Sequence, residues 1–175
     1  MNAAGEDLSA DVFVVRHADA GSRERFSGDD RTRPLSAKGH RQAEAVAERL
    51  AARPGLRLAS SPAARCVATL EPLAALLGLR IDVCEELAEG RNARIAYAYL
   101  RETAETLDGG ALAVCTHGDI LTGLLEMLVA DGTELLNEVN LAKAATLELS
   151  GPPPVFATVG FVPPPHVPRP ERVRE

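Results

Sequence analysis

The sequence predicts a three-layer α/β/α sandwich built on a mainly parallel central sheet. Three observations carry this expectation. Short unbroken apolar runs, clearest at residues 12–15 (Val-Phe-Val-Val) and 111–115 (Ala-Leu-Ala-Val-Cys), read as strands buried on both faces. Segments of helical periodicity alternate with them. A chain of 175 residues with 46% hydrophobic content can bury one sizeable core, and with aromatics at 3% that core must be built from Ala, Leu, Val and Ile.

Residues 1–10 are small and polar and are expected to form a loose terminus. The folded unit is expected over residues 11–162, opening with the strand at 12–15. Residues 19–35 hold Gly, Ser, Arg and Asp without periodicity, a long loop of the kind that is usually functional or disordered. Ser36 is a good N-cap, and Ala43, Val46, Ala47 and Leu50 recur at helical spacing, so a helix is expected over 37–53, stopped by Pro54-Gly55. A strand follows at 56–60. Ser61-Pro62 then looks like the N-cap and first position of a helix running to Gly78, with Pro72 expected to kink or break it. Residues 79–84 read as a strand, 85–90 as a loop and 93–107 as a helix. Asp108-Gly109-Gly110 turns the chain into the strand at 111–115. Ile120, Leu121, Leu124, Leu125 and Leu128 mark one face of the next helix, ended by Asp131-Gly132. Two late strands are expected at 144–149 and 155–162. Residues 163–175 form a Pro-, Arg- and Glu-rich tail expected to be extended.

Composition removes several function classes. The net charge is -6 and the pI near 5.3, against the basic balance usual for duplex binding, and few aromatics leave little base-stacking surface; no nucleic-acid partner is expected. No apolar stretch is long enough to span a bilayer, so no membrane partner is expected either. Cys66, Cys84 and Cys115 form no CxxC pair, and no secretory signal is seen ahead of the first strand. Reduced thiols in a cytoplasmic protein are the simplest expectation, with Cys115 a small core residue.

In parallel sheets ligands bind beyond the carboxyl ends of the strands. Arg16-His17 follows one such end, and Thr116-His117-Gly118 follows another, so both histidines are expected on one rim. Gly118 opens a helix whose backbone N–H groups and dipole favour an anion. Arg65 lies one turn into the helix after Ser61-Pro62, and helical side chains lean toward the N-terminus, so it can reach the same rim. Each residue alone is more often structural. Three elements delivering Arg or His to one edge point to a phosphoryl group, which guanidinium forks suit. Within the loop, Arg25, Arg31 and Arg33 are expected to be solvated or paired with Asp29 and Asp30. No compact His/Asp/Glu cluster has metal-ligand spacing, so neither a metal nor another cofactor is expected.

Val15-Arg16-His17-Ala18 resembles the Arg-His-Gly signature of the histidine phosphatase (phosphoglycerate-mutase-like) superfamily, with Ala18 where Gly is usual. Ser60-Ser61-Pro62 followed by Arg65, Cys66 and Thr69 is similar to the second motif of that family, and Cys115-Thr116-His117-Gly118 to the third. The resemblance runs from about Asp11 to Leu149. Arg33-Pro34-Leu35-Ser36 with Gly39 and Gln42-Ala43 resembles the SixA-type branch and related domains attached to some Nudix hydrolases.

The resemblance implies that His17 attacks phosphorus and becomes a phosphohistidine, while Arg16, Arg65 and His117 hold the equatorial oxygens and Arg23, which falls where members of the family place a polar phosphate contact, is a further candidate for substrate binding. It also implies a general acid in a Leu-x-Glu segment, for which Leu87-Ala88-Glu89 fits, with Glu86 and then Asp19 as alternatives, or no acid at all. The expected activity is a metal-free phosphatase acting on a phosphohistidine protein or on a phosphorylated small molecule such as a nucleotide. A non-catalytic phosphate-binding module and a mutase-like phosphotransferase remain alternatives. Little sequence lies between the motifs to build a cap, so an open site is expected.

Overall fold

A computed structural model describes residues 10–168 of the chain. Its centre is the apolar run at Val12, Phe13, Val14 and Val15, inside strand β1 (Ala10–Arg16). β1 pairs in parallel with β4 (Ala111–Thr116), which pairs in parallel with β2 (Leu56–Ser60), which pairs in parallel with β3 (Ile81–Val83). On its other side β1 pairs antiparallel with β6 (Thr146–Gly151), and β6 antiparallel with β7 (Thr158–Val162). A two-residue strand, β5 (Glu134–Leu135), lies parallel to β7, giving the order β3-β2-β4-β1-β6-β7-β5. The parallel half of the sheet carries both histidine motifs.

Four helices cover the two faces. Helix α1 (Ala37–Leu50) and α2 (Ala64–Leu77) bury Val46, Ala47, Leu50 and Leu73 against Phe13, Val15, Leu58 and Ala113. On the opposite face α3 (Ala93–Ala104) and α4 (Gly118–Ala130) bury Leu100, Ile120, Leu121 and Leu124 against Val12, Val14, Leu112 and Val114. Successive β1 residues therefore point into different cores, which is why the run is continuously apolar. Cys115 is buried in the core.

Local chemistry sets the helix ends. Ser36 caps α1, its Oγ accepting from Gly39 N at 3.1 Å, and Asn92 caps α3 by accepting from Arg94 N. Gly78, at φ +65°, closes α2 in the left-handed conformation. The structure corrects the expected start of α2. Ala63, not Ser61, is its N-cap, and Pro62 lies outside the helix. Pro72 does not break it either, because α2 continues to Leu77 with Leu70 and Leu73 fully buried on either side of the proline. The strand expected at 79–84 is confined to Ile81–Val83, and the loop at 85–90 opens with a 3₁₀ turn at Glu85–Leu87. The late strands are shifted: β6 begins at Thr146 and β7 at Thr158. The terminus expected over 1–10 lies outside the described residues except for Ala10, which already belongs to β1, and the tail expected over 163–175 lies outside them from residue 169 onward. No helix among the described residues is long and apolar enough to cross a membrane.

Candidate active site

β1 and β4 run side by side in register, with Arg16 opposite Thr116. Their ends therefore release Arg16-His17 and His117 next to each other. The two imidazole rings meet edge to face with centroids 5.4 Å apart. His17 N–H donates to Thr116 O at 3.0 Å, fastening the two strand ends together just where the side chains diverge.

The His17 ring is 5% exposed, and its Nδ1 lies 2.8 Å from the carbonyl oxygen of Ala18. A carbonyl only accepts, so Nδ1 carries the hydrogen and Nε2 keeps its lone pair. Burial is the main force on its protonation and pulls the pKa down to about 3, partly opposed by the Ala18 bond and reinforced by the cationic Arg65 and by His117 and Arg16. The backbone after His17 is pinned as well: Ala18 N–H donates to Thr69 Oγ1, whose hydroxyl donates to Arg65 O at 2.6 Å. Thr69 thus links the histidine turn to the first turn of α2.

Arg65 is the second residue of α2 and is 1% exposed. It reaches back to the strand ends as its helical position predicts. Its Nη2 lies 3.4 Å from His117 Nδ1 and 2.9 Å from Glu89 Oε2, while Nη1 donates to Asp30 O at 2.7 Å and lies 3.1 Å from Asp30 Oδ2. His117 is fully buried, with Nε2 at 2.8 Å from Ser61 Oγ and 3.5 Å from Cys66 Sγ. Arg16 Nη1 donates to Leu141 O, and its guanidinium packs over Gly118: a Cβ built on that glycine would stand 3.0 Å from Arg16 Cζ. The Nε atoms of Arg16 and Arg65 are buried without a partner, as are those of Arg41 and Arg49 elsewhere, so an orphaned Nε does not by itself mark the site.

The structure thus brings Arg16, His17, Arg65, His117 and Gly118 to one rim. Arg23 and Glu89 lie further out: Arg23 is 62% exposed and pairs with Asp30 at 2.8 Å and Glu89 at 3.1 Å. Glu86 makes no contact with this group; it lies in a separate shallow depression beside Arg91 and Ile95. Asp19 is occupied by the scaffold, accepting from Ser36 Oγ at 2.5 Å and from Lys143 Nζ at 3.3 Å. Burial works against its charge, but the Ser36 bond and Lys143 hold its pKa below the ordinary value.

Above Arg65 and His117 lies a pocket of about 320 Å³. Its wall carries four guanidiniums (Arg23, Arg31, Arg65 and Arg91) and four carboxylates, of which Asp30 and Glu89 stand nearest Arg65. The loop expected over 19–35 folds its 3₁₀ turn at Asp30–Thr32 directly onto Arg65. Arg33 pairs with Asp30, one of the partners expected for it, but is buried rather than solvated, donating to Asp30 Oδ1 and to Ala20 O, both at 2.8 Å. Arg31 pairs with Glu85 rather than with Asp29 or Asp30. Asp30 and Ser61, expected only as an ion-pair partner and as a helix cap within the second motif, touch Arg65 and His117 directly. Among the described residues no group of three or more His, Cys, Asp or Glu is placed to hold a metal ion.

The sequence profile of the histidine phosphatase superfamily (branch 1) matches residues 12–96. An 8-oxo-(d)GTP phosphatase of Mycolicibacterium smegmatis is 39% identical over 118 residues, a stretch covering 66% of this chain and 36% of that protein. The chain therefore spans only about a third of that relative. Among solved structures, a protein histidine phosphatase SixA complexed with tungstate superposes with a TM-score of 0.65 at 23% identity, covering 79% of this chain and 86% of the other. A putative phosphohistidine phosphatase SixA from Nakamurella multipartitia gives 0.71 at 20% identity, covering 89% and 96%. The two structural likenesses show a shared fold.

Proposed function

The chain belongs to the histidine phosphatase superfamily, and from that premise we propose that it hydrolyses phosphorylated substrates through a phosphoenzyme formed on His17. The observation that carries this reading is the neutral His17 ring, held by Ala18 O with Nε2 free, beside the buried Arg65 and His117. In the first step Nε2 bonds to phosphorus and the bond from phosphorus to the leaving atom breaks. In the second, water attacks the phosphohistidine, the N–P bond breaks and inorganic phosphate leaves. Splitting one displacement into two gives each its own oriented nucleophile. Arg65, Arg16 and His117 hold the equatorial oxygens and stabilise the charge that develops on them, and Gly118 presents its helix N-terminus to the same group.

Glu89 is the candidate proton donor to the leaving group. Its Oε2 accepts from Arg65 and Arg23; an arriving phosphoryl group takes over the Arg65 donor, and its negative charge favours uptake of a proton from water by the carboxyl, which then gives that proton to the departing atom. Arg23 stays at the pocket mouth to contact the rest of the substrate. The substrate class is a phosphohistidine protein or a small phosphoester such as a nucleotide. The fold shared with SixA proteins supports the first, and the M. smegmatis relative supports the second.

The test is hydrolysis of p-nitrophenyl phosphate in the presence of a chelator, wild type against His17→Ala. Turnover by the wild type and none by the variant is expected. Turnover that survives in the variant refutes the nucleophile; turnover abolished by the chelator refutes chemistry that draws its positive charge from side chains. Phosphate release from a phosphohistidine protein compared with nucleotides then decides the substrate.

A further inference from the structure

Asp30 is the meeting point of three arginines. Its Oδ1 accepts from Arg33 Nε at 2.8 Å, its Oδ2 accepts from Arg23 Nη2 at 2.8 Å and lies 3.1 Å from Arg65 Nη1, and its backbone carbonyl accepts from Arg65 Nη1 at 2.7 Å. Arg33 is itself anchored to the carbonyls of Ala20 and Gly21, three and four residues beyond His17. A continuous polar chain therefore runs from the loop leaving the nucleophile, through Arg33 and Asp30, to Arg65. A carboxylate in a phosphate pocket should, by charge alone, weaken anion binding. Here it takes up Nη1 of Arg65, while Nη2 on the other side of the fork meets Glu89 Oε2 at 2.9 Å and faces His117 Nδ1 at 3.4 Å.

We propose that Asp30 is a positioning residue: its carboxylate and carbonyl fix the Arg65 guanidinium against the Arg33-anchored loop, so that Arg65 meets an incoming phosphoryl oxygen in one orientation. The proposal rests on the reading of Arg65 as a phosphoryl-binding group. Burial works against the charge on Asp30, but hydrogen bonds from Arg33 and Arg23 and the nearby Arg65 hold its pKa far below the ordinary carboxylate range. A misplacement of an oriented binding group by about 1 Å can cost roughly 100-fold, so the effect of losing this brace is large enough to read.

The experiment measures inorganic phosphate binding by calorimetry, together with kcat and KM for p-nitrophenyl phosphate, in wild type, Asp30→Asn, Asp30→Glu and Asp29→Asn. Asp29 lines the same pocket and carries the same charge, but its side chain accepts from Arg31 N and not from Arg65. Removing a negative charge should tighten phosphate if electrostatics alone governed the pocket. Asp30→Asn is expected instead to weaken phosphate roughly 10- to 100-fold and to lower kcat as well as raise KM, because a misoriented Arg65 also loses its hold on the charge that develops during the reaction. Asp29→Asn is expected to change phosphate affinity by less than about threefold, or to tighten it. Phosphate bound as tightly or more tightly by Asp30→Asn than by wild type overturns the proposal. Should that variant not fold, Asp30→Glu decides: it keeps the charge and shifts its position by one methylene, and unchanged affinity there is equally fatal. Because phosphate binding is read without turnover, a wild type that binds phosphate but hydrolyses nothing sinks the proposed activity and leaves the Asp30 result standing.

Discussion

His17 should make the folded protein acid-sensitive in a way that can be calculated. Its pKa falls from 6.5 to about 3 on folding, chiefly through burial. Between those values the unfolded chain holds a proton that the folded protein does not, so stability rises with pH across this window and is lost as pH falls through it. Above 6.5 neither state is protonated at this ring and the stabilising difference is complete. Each pH unit below 6.5 removes about 1.4 kcal/mol, so acidification from pH 7 to pH 5 should cost about 2 kcal/mol from this group alone. The perturbation is His17→Gln, which fills similar space and cannot take up the proton. Urea midpoints of wild type and variant are measured at pH 7 and pH 5. The carboxylates and other histidines titrate alike in both proteins and cancel in the difference. Wild type is expected to lose about 2 kcal/mol more than the variant. An equal loss in both would mean that the folded ring is protonated at pH 5, and the argument for a free Nε2 lone pair would fall with it.

Three further outcomes follow from the geometry. Gly118→Ala places a Cβ about 3 Å from the Arg16 guanidinium; it should lower kcat/KM for p-nitrophenyl phosphate roughly 10-fold or more while the protein stays folded by circular dichroism. In Gly39→Ala the new Cβ would sit 1.9 Å from Asp19 O, so α1 or the histidine loop must move, and a loss of about 1–3 kcal/mol in denaturant unfolding is expected. Glu89→Gln should slow hydrolysis of alkyl phosphates at least about 100-fold but p-nitrophenyl phosphate by less than about fivefold, since only the poor leaving group needs a proton; equal slowing of both substrates would remove Glu89 from the acid role.

The parts of this molecule that sequence reasoning reached are those governed by local rules. Val12, Val14, Leu112 and Val114 announced buried strands because both sheet faces are covered, and Ser36 and Gly78 marked helix ends because capping is a short-range matter. The convergence of Arg16, His17, Arg65 and His117 was legible for a topological reason: parallel strands with helical crossovers send their carboxyl ends to one side. What escaped depends on distant partners. Pro72 survives inside α2 because Leu70 and Leu73 are fully buried on either side of it, a tertiary constraint that outweighs the helix-breaking tendency. Ser61 is not a cap because α2 starts later, which leaves its hydroxyl to meet His117 from another strand. Asp30 sits in a stretch with no periodicity, and its partners lie on either side of it in the sequence, from Arg23 to Arg65; nothing local distinguishes it from Asp29. β5, at two residues, is too short to leave a periodic signature.

The even balance of guanidiniums and carboxylates around the pocket has a kinetic consequence. The chain as a whole carries -6, and the mouth adds no surplus of positive charge to offset it. A dianion approaching from a distance is not drawn in by a field; it gains attraction only on arrival, within a few ångströms of Arg65. Salt screens the weak repulsion of the acidic chain, so encounter should hold steady or quicken as ionic strength rises, whereas capture at sites that funnel their ligands electrostatically slows.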